Sequence, residues 1–416
     1  MNYLSPVCLL RATAMAAFCF LFSVAASAHE TDTVAITDSI LQSTAKAKNI
    51  HRIELQITPS AILHTNPYLK GNNPEMRHMN HDWTYHLKYA FMPPERSYEA
   101  NAYSGVYQGI GVAWHHLNPQ LGNPVSVYLY QGAHLARLAH RLWLNYEWNL
   151  GLAMGWNPYD AVNNPDNKCI GSKVTAYIDA DIYLNWRLSD HFDLNTGLSL
   201  THFSNGNTAL PNYGLNTLGL KVGLAYYVNR TEKSAEKANK QYLKPFRHHF
   251  TYDLILFGAW RQRGTDSGGD MFILPQKYGV VGFNFNPMYG INRWLKAGVS
   301  LDGVYDHSSN LYYDPSAATD DDGNSSYGYV APSASEQMAL GLSARAEFTM
   351  PYFSINLGVG HNMVNAHREF AGWYQTLALK LHVTPRLLLH IGYSLYNCKT
   401  PNHLMLGMGW RFGKLK

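Results

Sequence analysis

The sequence predicts an all-β protein: a transmembrane outer-membrane antiparallel β-barrel of about 14–16 strands. Three observations support this fold class. No segment after residue 28 contains the roughly 18–20 continuous apolar residues that a membrane helix needs. Tyr (29) and Gly (33) are abundant, as expected for aromatic girdles and tight turns. Segments that alternate apolar and polar residues recur along the chain, with turn-forming residues between them.

The N-terminal segment 1–28 has the features of a secretory signal peptide. Arg11 is its only positively charged side chain, and a largely apolar run extends from Ala14 to Ala26. Ala26-Ser27-Ala28 fits a cleavage site flanked by small residues. We therefore expect the chain to be exported.

Connection lengths give an independent test of the barrel. Short turns are predicted at 188–191, 287–292, 350–352 and 384–385. Longer connections are predicted near 155–172, 205–214, 262–276, 307–336, 363–370 and 397–402. Apart from the charged segment 229–247, short and long connections alternate along the chain, as periplasmic turns and external loops do in outer-membrane barrels. This alternation places the connection 205–214 at the outer face.

The charged segment divides the predicted barrel into two parts. Residues 29–228 form a front part, 229–247 a charged periplasmic connector, and 248–416 a rear part of eight strands. One large barrel and two eight-stranded halves both satisfy the pattern. Open strand edges in lipid do not, because no water is present there to satisfy their backbone groups.

Charge and composition exclude several partners. The net charge is only +4, and no basic cluster interleaves with aromatic residues, so we do not expect nucleic-acid binding. The His78–His81 and His248-His249 clusters lack spaced partner ligands, and the acidic segment Asp320–Asp322 lacks the ligand spacing of a calcium loop. We therefore predict no metal and no cofactor. Cys169 and Cys398 both fall in or beside predicted outer loops, so a disulfide between them is open.

A His-Ser pair at one strand end is the strongest functional signal. Side chains alternate between the two faces of a strand, so His202 and Ser204 share the face that also carries Leu194, Leu198 and Leu200. In an outer-membrane barrel this apolar face contacts lipid. Asn216 begins the apolar register of the next strand, which continues with Leu218 and Leu220. His202, Ser204 and Asn216 are therefore predicted to cluster at the outer rim.

These residue types suit nucleophilic catalysis. A serine hydroxyl needs a general base within hydrogen-bond reach and a third group that orients that base. Two residues along a strand span roughly 6.5–7 Å of backbone, a separation that the two side chains can bridge. Asn205 and the backbone amides that follow it are candidates for stabilising an oxyanion. The rear part has Asn397 and Lys399 at the positions equivalent to His202 and Ser204, so it lacks the pair.

The longer pattern resembles a known family. His-x-Ser-Asn at 202–205, followed by Pro-Asn-x-Gly at 211–214 and a descending strand, resembles the motif of the PagL-type lipid A 3-O-deacylases. The stretch 105–228, with Trp-Asn-Pro-Tyr-Asp at 156–160 and Asn-Pro at 164–165, is similar to the longer Bacteroidetes-type members of this outer-membrane acyloxyacyl hydrolase-like family.

This resemblance implies an outer-membrane esterase that removes the ester-linked acyl chain at the 3 position of lipid A without a metal. Its partners would be lipid A, or lipopolysaccharide, and the surrounding membrane lipid. It also implies that His202 is the general base, that Ser204 is the nucleophile, and that Asn205 and Asn212 lie near the oxyanion. We expect Phe203 and Tyr213 to be rim aromatics that contact the substrate.

One departure leaves the mechanism open. The family's third triad residue is a Glu two positions after the Gly of Pro-Asn-x-Gly, but this chain has Asn216 there. The equivalent change of carboxylate to amide in a serine protease costs about 10⁴ in kcat. The chain therefore uses an amide triad, borrows a carboxylate such as Asp306, or is a weak catalyst. The alternative is a non-catalytic barrel for transport or binding.

Overall fold

The computed structural model describes residues 49–93, 102–230, 246–267, 270–318, 328–398 and 400–413. The predicted signal peptide and most of the predicted connector 229–247 lie outside these residues. Within the described ranges, no helix is long and apolar enough to cross a membrane.

The chain forms two compact units, each built on a closed barrel of eight antiparallel strands. The first unit comprises the described residues of Met1–Ser204 and Tyr213–Lys244, and the second those of Asn205–Asn212 and Pro245–Lys416. The predicted all-β barrel fold is confirmed. Of the two arrangements left open by the sequence, the chain adopts two barrels.

The first barrel follows chain order and closes where its last strand pairs with its first. Its strands are β1 (Ile50–Ile62), β2 (His81–Met92), β3 (Tyr107–His116), β4 (Gly122–Ala139), β5 (Leu142–Trp156), β6 (Val174–Arg187), β7 (Phe192–Ser204) and β8 (Leu215–Val228).

The second barrel closes where its last strand pairs with its first. Its strands are β9 (Phe250–Ser267), β10 (Asp270–Gly290), β11 (Leu295–Asp306), β14 (Met338–Thr349), β15 (Phe353–Val364), β16 (Trp373–His382), β17 (Leu387–Tyr396) and β18 (Thr400–Gly413). The short strands β12 (Tyr312–Tyr313) and β13 (Tyr329–Val330) pair within the connection between β11 and β14. Three 3-10 helices cover Pro315–Ala318, Ala334–Gln337 and Arg368–Phe370.

Two predicted loops are wrong. The range 262–276 belongs mostly to a β-hairpin, in which β9 and β10 stay paired as far as Ser267 and Asp270, with one irregularity between Ile273 and Lys277. The range 397–402 is shortened because β18 begins at Thr400. Backbone pairing in a hairpin does not require alternation of apolar and polar residues. Because these strand ends contain charged and turn-forming residues, the sequence pattern did not predict them as strand.

The interior of the first barrel is filled by paired charges. Glu147 accepts hydrogen bonds from Lys88 and, at 2.9 Å, from Lys221. Lys221 also bonds Asp181 at 2.5 Å, and all four side chains are buried. The opposite face is apolar, with residues such as Leu198 more than half exposed. Because each of these four charges has a partner of opposite sign, this polar interior is compatible with a closed barrel.

The second barrel has the same type of interior. Glu347 contacts Lys380 at 2.6 Å and Arg411 at 3.0 Å. Asp253 contacts the same two cations, at 3.0 Å from Lys380 and 2.7 Å from Arg411. These four residues come from β9, β14, β16 and β18, so the ion pairs connect strands that are distant in the sequence.

We expect Glu147→Gln to destabilise the first barrel, because it leaves Lys88 and Lys221 buried with less compensating negative charge. Breaking a buried ion pair costs about 3–5 kcal/mol. The measurement is the loss of the compact, fast-migrating form in gel electrophoresis as the sample is heated. Glu75→Gln changes an exposed carboxylate and is the control. Equal thermal midpoints for the two variants would contradict the assigned role of Glu147.

Candidate active site

The candidate site lies at one end of the first barrel, where β7 ends and β8 begins. The two strands are antiparallel neighbours, and His202 is the register partner of Asn216. Along β7, Thr201 and Phe203 are buried in the interior, whereas His202 and Ser204 are partly exposed on the outward face. The alternation inferred from the sequence therefore holds to the end of this strand.

The ring of His202 contacts the side chain of Asn216 directly. Nδ1 of His202 lies 2.7 Å from Oδ1 of Asn216. An amide oxygen only accepts hydrogen bonds, so Nδ1 carries the proton and donates it. In the neutral ring the basic lone pair is then on Nε2, the atom that a general base would use.

Ser204 follows His202 by two positions on the same outward face. Its register partner on β6 is Ala176, and that of His202 is Ile178. The small side chain of Ala176 leaves Ser204 less sterically covered than a larger residue would. The structure thus places His202, Ser204 and Asn216 on one apolar face at the end of two adjacent strands.

Asn205 and Asn212 belong to the loop Asn205–Asn212, which groups with the second unit. The backbone N–H of Asn205 donates to Oδ1 of Asn212 at 3.1 Å. The Asn205 side chain donates to the carbonyl of Ala209 at 2.8 Å, and the Asn212 side chain donates to Oδ1 of Asn207 at 3.2 Å. In this conformation both asparagines order their own loop, and their oxyanion role stays a prediction.

The prediction for Phe203 is wrong. Phe203 is fully buried inside the barrel, where its ring meets His115 and Trp156 edge to face at centroid distances of 5.0 Å. A residue between two outward-facing residues of a strand faces inward, so Phe203 anchors the strand end and does not contact substrate. Tyr213 is partly exposed, and its backbone N–H donates to the carbonyl of Lys168 at 3.2 Å.

Asp306, named above as a possible carboxylate donor, has partners within the second unit. It is buried in the second unit and bonds Arg261 at 2.7 Å. The backbone N–H of Ser308 also donates to it, at 2.8 Å. The ring of His202 contacts the Asn216 amide, and a contribution from a carboxylate such as Asp306 stays a prediction.

The sequence also raised a disulfide and metal sites at other residues. Cys169 and Cys398 are both free thiols, so the open disulfide is not formed. His248 and His249 bond backbone carbonyls, those of Gly290 and Arg247. The segment Asp320–Asp322 lies outside the described residues. Where the chain is described, no group of three or more His, Cys, Asp or Glu side chains is arranged to hold a metal ion.

Sequence reasoning missed the contacts that surround the start of β8. Gly214 has a φ of +74° and packs against His202, and the connection between β5 and β6 bonds to its backbone. The glycine of Pro-Asn-x-Gly was a visible signal for the positive φ. Nothing in the sequence indicated that residues 168 and 169 would meet it, because that pairing spans 45 positions.

Two family models match the chain. The model of lipid A 3-O-deacylase (PagL) matches residues 83–225, and that of the acyloxyacyl hydrolase C-terminal domain matches residues 250–414. None of the curated proteins matches.

Several solved outer-membrane proteins are similar to parts of the chain. The outer-membrane enzyme PagL is 12% identical, with 41% of this chain and 97% of that chain covered and a TM-score of 0.29. Neisserial surface protein A is 8% identical, with coverages of 43% and 95% and a TM-score of 0.27. The Yersinia pestis outer membrane protein Ail is 16% identical, with coverages of 39% and 99% and a TM-score of 0.24.

The two family models fall on the first and second barrels, and together they cover most of the chain. The chain therefore belongs to the PagL-type lipid A 3-O-deacylase family, as its motif predicted, and is a protein of the outer membrane.

Proposed function

We propose that the first barrel is a serine esterase that hydrolyses the ester-linked acyl chain at the 3 position of lipid A. The observation that carries this proposal is the 2.7 Å contact between His202 and Asn216 on the same outward face as Ser204. A base, its orienting group and a hydroxyl at the lipid-facing surface suit a substrate that is itself a membrane lipid. Family membership supports lipid A as that substrate.

The proposed reaction has two steps. Oγ of Ser204 attacks the acyl carbonyl carbon while Nε2 of His202 takes the hydroxyl proton. The tetrahedral intermediate then expels the sugar oxygen, which leaves with the proton from His202, and the acyl chain stays on Ser204. In the second step His202 deprotonates water, the water attacks the acyl-enzyme, and the fatty acid is released with Ser204 restored.

The presence of Asn at position 216 determines how high a kcat we expect. Its amide fixes the tautomer and orientation of His202, as the contact at Oδ1 requires. A neutral amide provides no charge to stabilise the imidazolium that forms during the attack. We therefore propose an amide triad that orients its base well but stabilises the charged state less than a Glu would.

The interior of the first barrel argues against the alternative of transport through a lumen. Arg52, Glu54 and Glu147 are fully buried beside Lys88 and Lys221, and Glu147 alone contacts three cations. A route for solutes through this barrel would require breaking those ion pairs. A binding barrel without catalysis is the remaining alternative, and the experiment below distinguishes it.

We expect Ser204→Ala to abolish deacylation, because it removes the nucleophile; losses of about 10⁴ or more in kcat are typical. Lipid A is isolated from cells that express either form and analysed by mass spectrometry. The wild-type chain should remove one hydroxyacyl mass, and the variant should not. Thr196→Ala, on the same outward face of β7, is the matched control and should act like wild type.

An unchanged lipid A with the wild-type chain folded in the outer membrane would overturn the esterase proposal for that lipid A. Loss of the same hydroxyacyl mass with Ser204→Ala would instead overturn the role of Ser204.

We expect Asn216→Glu to raise kcat at least tenfold, because a carboxylate stabilises the imidazolium. The same charge favours the protonated form of His202. Since the base must be neutral, the acid limb of the kcat/KM profile should move to higher pH. Asn216→Ala should lower kcat because nothing then orients the ring. Rates are measured as fatty acid released from purified lipopolysaccharide in detergent micelles. An unchanged pH profile in Asn216→Glu would contradict the assigned contact.

A further inference from the structure

The connection between β5 and β6 folds back onto the start of β8. Its residues Asn167–Ile170, here called the strap, lie beside Tyr213 and Gly214. The backbone N–H of Tyr213 donates to the carbonyl of Lys168 at 3.2 Å, and that of Gly214 donates to the carbonyl of Cys169 at 3.0 Å. The Cys169 thiol donates a hydrogen bond to the carbonyl of Gly214 at 3.2 Å. Gly214 is therefore bonded on both its N–H and its carbonyl to one residue of the strap.

Gly214 in turn lies against the base of the candidate triad. A methyl group at its α-carbon would come within 3.2 Å of Cε1 of His202 and 3.0 Å of the carbonyl oxygen of Phe203. The backbone of Gly214 thus forms one wall of the space that the His202 ring occupies. Its φ of +74° is a conformation that glycine adopts without strain.

The strap itself is firmly held. Oδ1 of Asn167 accepts the backbone N–H groups of Cys169 at 3.0 Å and Ile170 at 3.1 Å. The carbonyl of Ile170 accepts the N–H of Tyr159 at 2.7 Å. Cys169 and Ile170 are fully buried in the same apolar cluster as Leu69. These contacts hold the strap in place independently of its hydrogen bonds to Gly214.

The Cys169 thiol acts as a hydrogen-bond donor and is not a second nucleophile. It is fully buried, and this burial raises its pKa to about 12. The thiol therefore stays protonated at physiological pH, which is the form that can donate to the Gly214 carbonyl. A buried thiol without thiolate character is chemically inert.

The backbone of Asn216 has its own anchor. Its carbonyl accepts the N–H of Leu63, in the connection between β1 and β2, at 2.9 Å. The two partners that flank His202 are thus held from different loops: Asn216 by Leu63, and Gly214 by the strap.

We propose that the strap is a positioning element for the esterase site: through Cys169 it holds Gly214 against His202 and keeps the ring in contact with Asn216. This inference rests on the proposed function. It assigns Cys169 and Gly214 as positioning residues, which act on the reaction only through His202. Loosening the strap lets the ring turn away from Asn216, and small displacements of a base reduce kcat strongly.

The test compares donor-free and donor-preserving changes at one buried position. Cys169→Val keeps an apolar side chain but removes the donor, and Cys169→Ser keeps a donor. We expect kcat to fall about tenfold in Cys169→Val with little change in KM, and to stay within about threefold of wild type in Cys169→Ser. Cys398→Ala, at the other free cysteine among the described residues, is the control. Rates refer to the folded fraction of detergent-solubilised, full-length protein acting on purified lipopolysaccharide.

The ¹⁵N chemical shifts of the His202 ring distinguish positioning from stability. They change if Cys169 positions the ring, and they stay the same if Cys169 only stabilises the fold. In wild type the shifts should report a single tautomer with the proton on Nδ1. In Cys169→Val they should report a mixture of tautomers, and in Cys169→Ser the wild-type state. If Cys169→Val does not fold, Cys169→Ala replaces it, with the same expected loss relative to Cys169→Ser.

The outcomes separate this inference from the proposed function. Suppose that Cys169→Val and Cys169→Ser have equal kcat and equal ring shifts, and that activity still depends on Ser204. This result would overturn the positioning role of the strap and leave the esterase proposal intact. Activity that survives Ser204→Ala would overturn the proposed mechanism whatever the Cys169 variants do, and the ring shifts would still report whether the strap positions His202.

Discussion

A closed antiparallel barrel imposes one constraint on which everything else in this protein depends: each strand residue faces either the interior or the membrane. In both units paired charged side chains lie inside, where Glu147 and Glu347 each contact several cations. The outward face is left to apolar residues such as Leu198 and Leu256. Closure also pairs every strand edge, which a lipid environment requires.

The same constraint makes the candidate site conspicuous and explains its form. Polar residues on an outward face gain nothing from the interior ion pairs, so His202 and Asn216 bond each other. They lie at a strand end beside the connection 205–214, which loop lengths predict to be external. An amide in place of a carboxylate suits this setting, because an unpaired charge at the edge of an apolar face carries a desolvation cost. In the proposed mechanism the orientation of the base is retained, whereas stabilisation of its charged form is reduced.

Whether a feature could be predicted from the sequence depends on how far apart in the chain its interacting residues lie. Strands, their alternation and the outward face of His202 and Ser204 depend on neighbours two residues apart, so they were accessible from the sequence. The hairpin of β9 and β10 was missed because its far end is held by backbone pairing among charged and turn-forming residues. Phe203 was misassigned as a rim aromatic although its odd position on β7 already placed it inside, against His115 and Trp156. The partner of Asp306, Arg261, could not be read from the sequence because it lies 45 positions away.

The sequence by itself determined the barrel fold, the family, and the residues that form the candidate triad, because a two-residue period and a local motif encode them. Only the tertiary structure decided that there are two barrels, that Asn216 directly meets His202, and that the strap bonds Gly214. The physical reason is the same in each case. Barrel closure and loop packing join residues that are tens or hundreds of positions apart, and no local pattern records which distant backbone groups will satisfy one another.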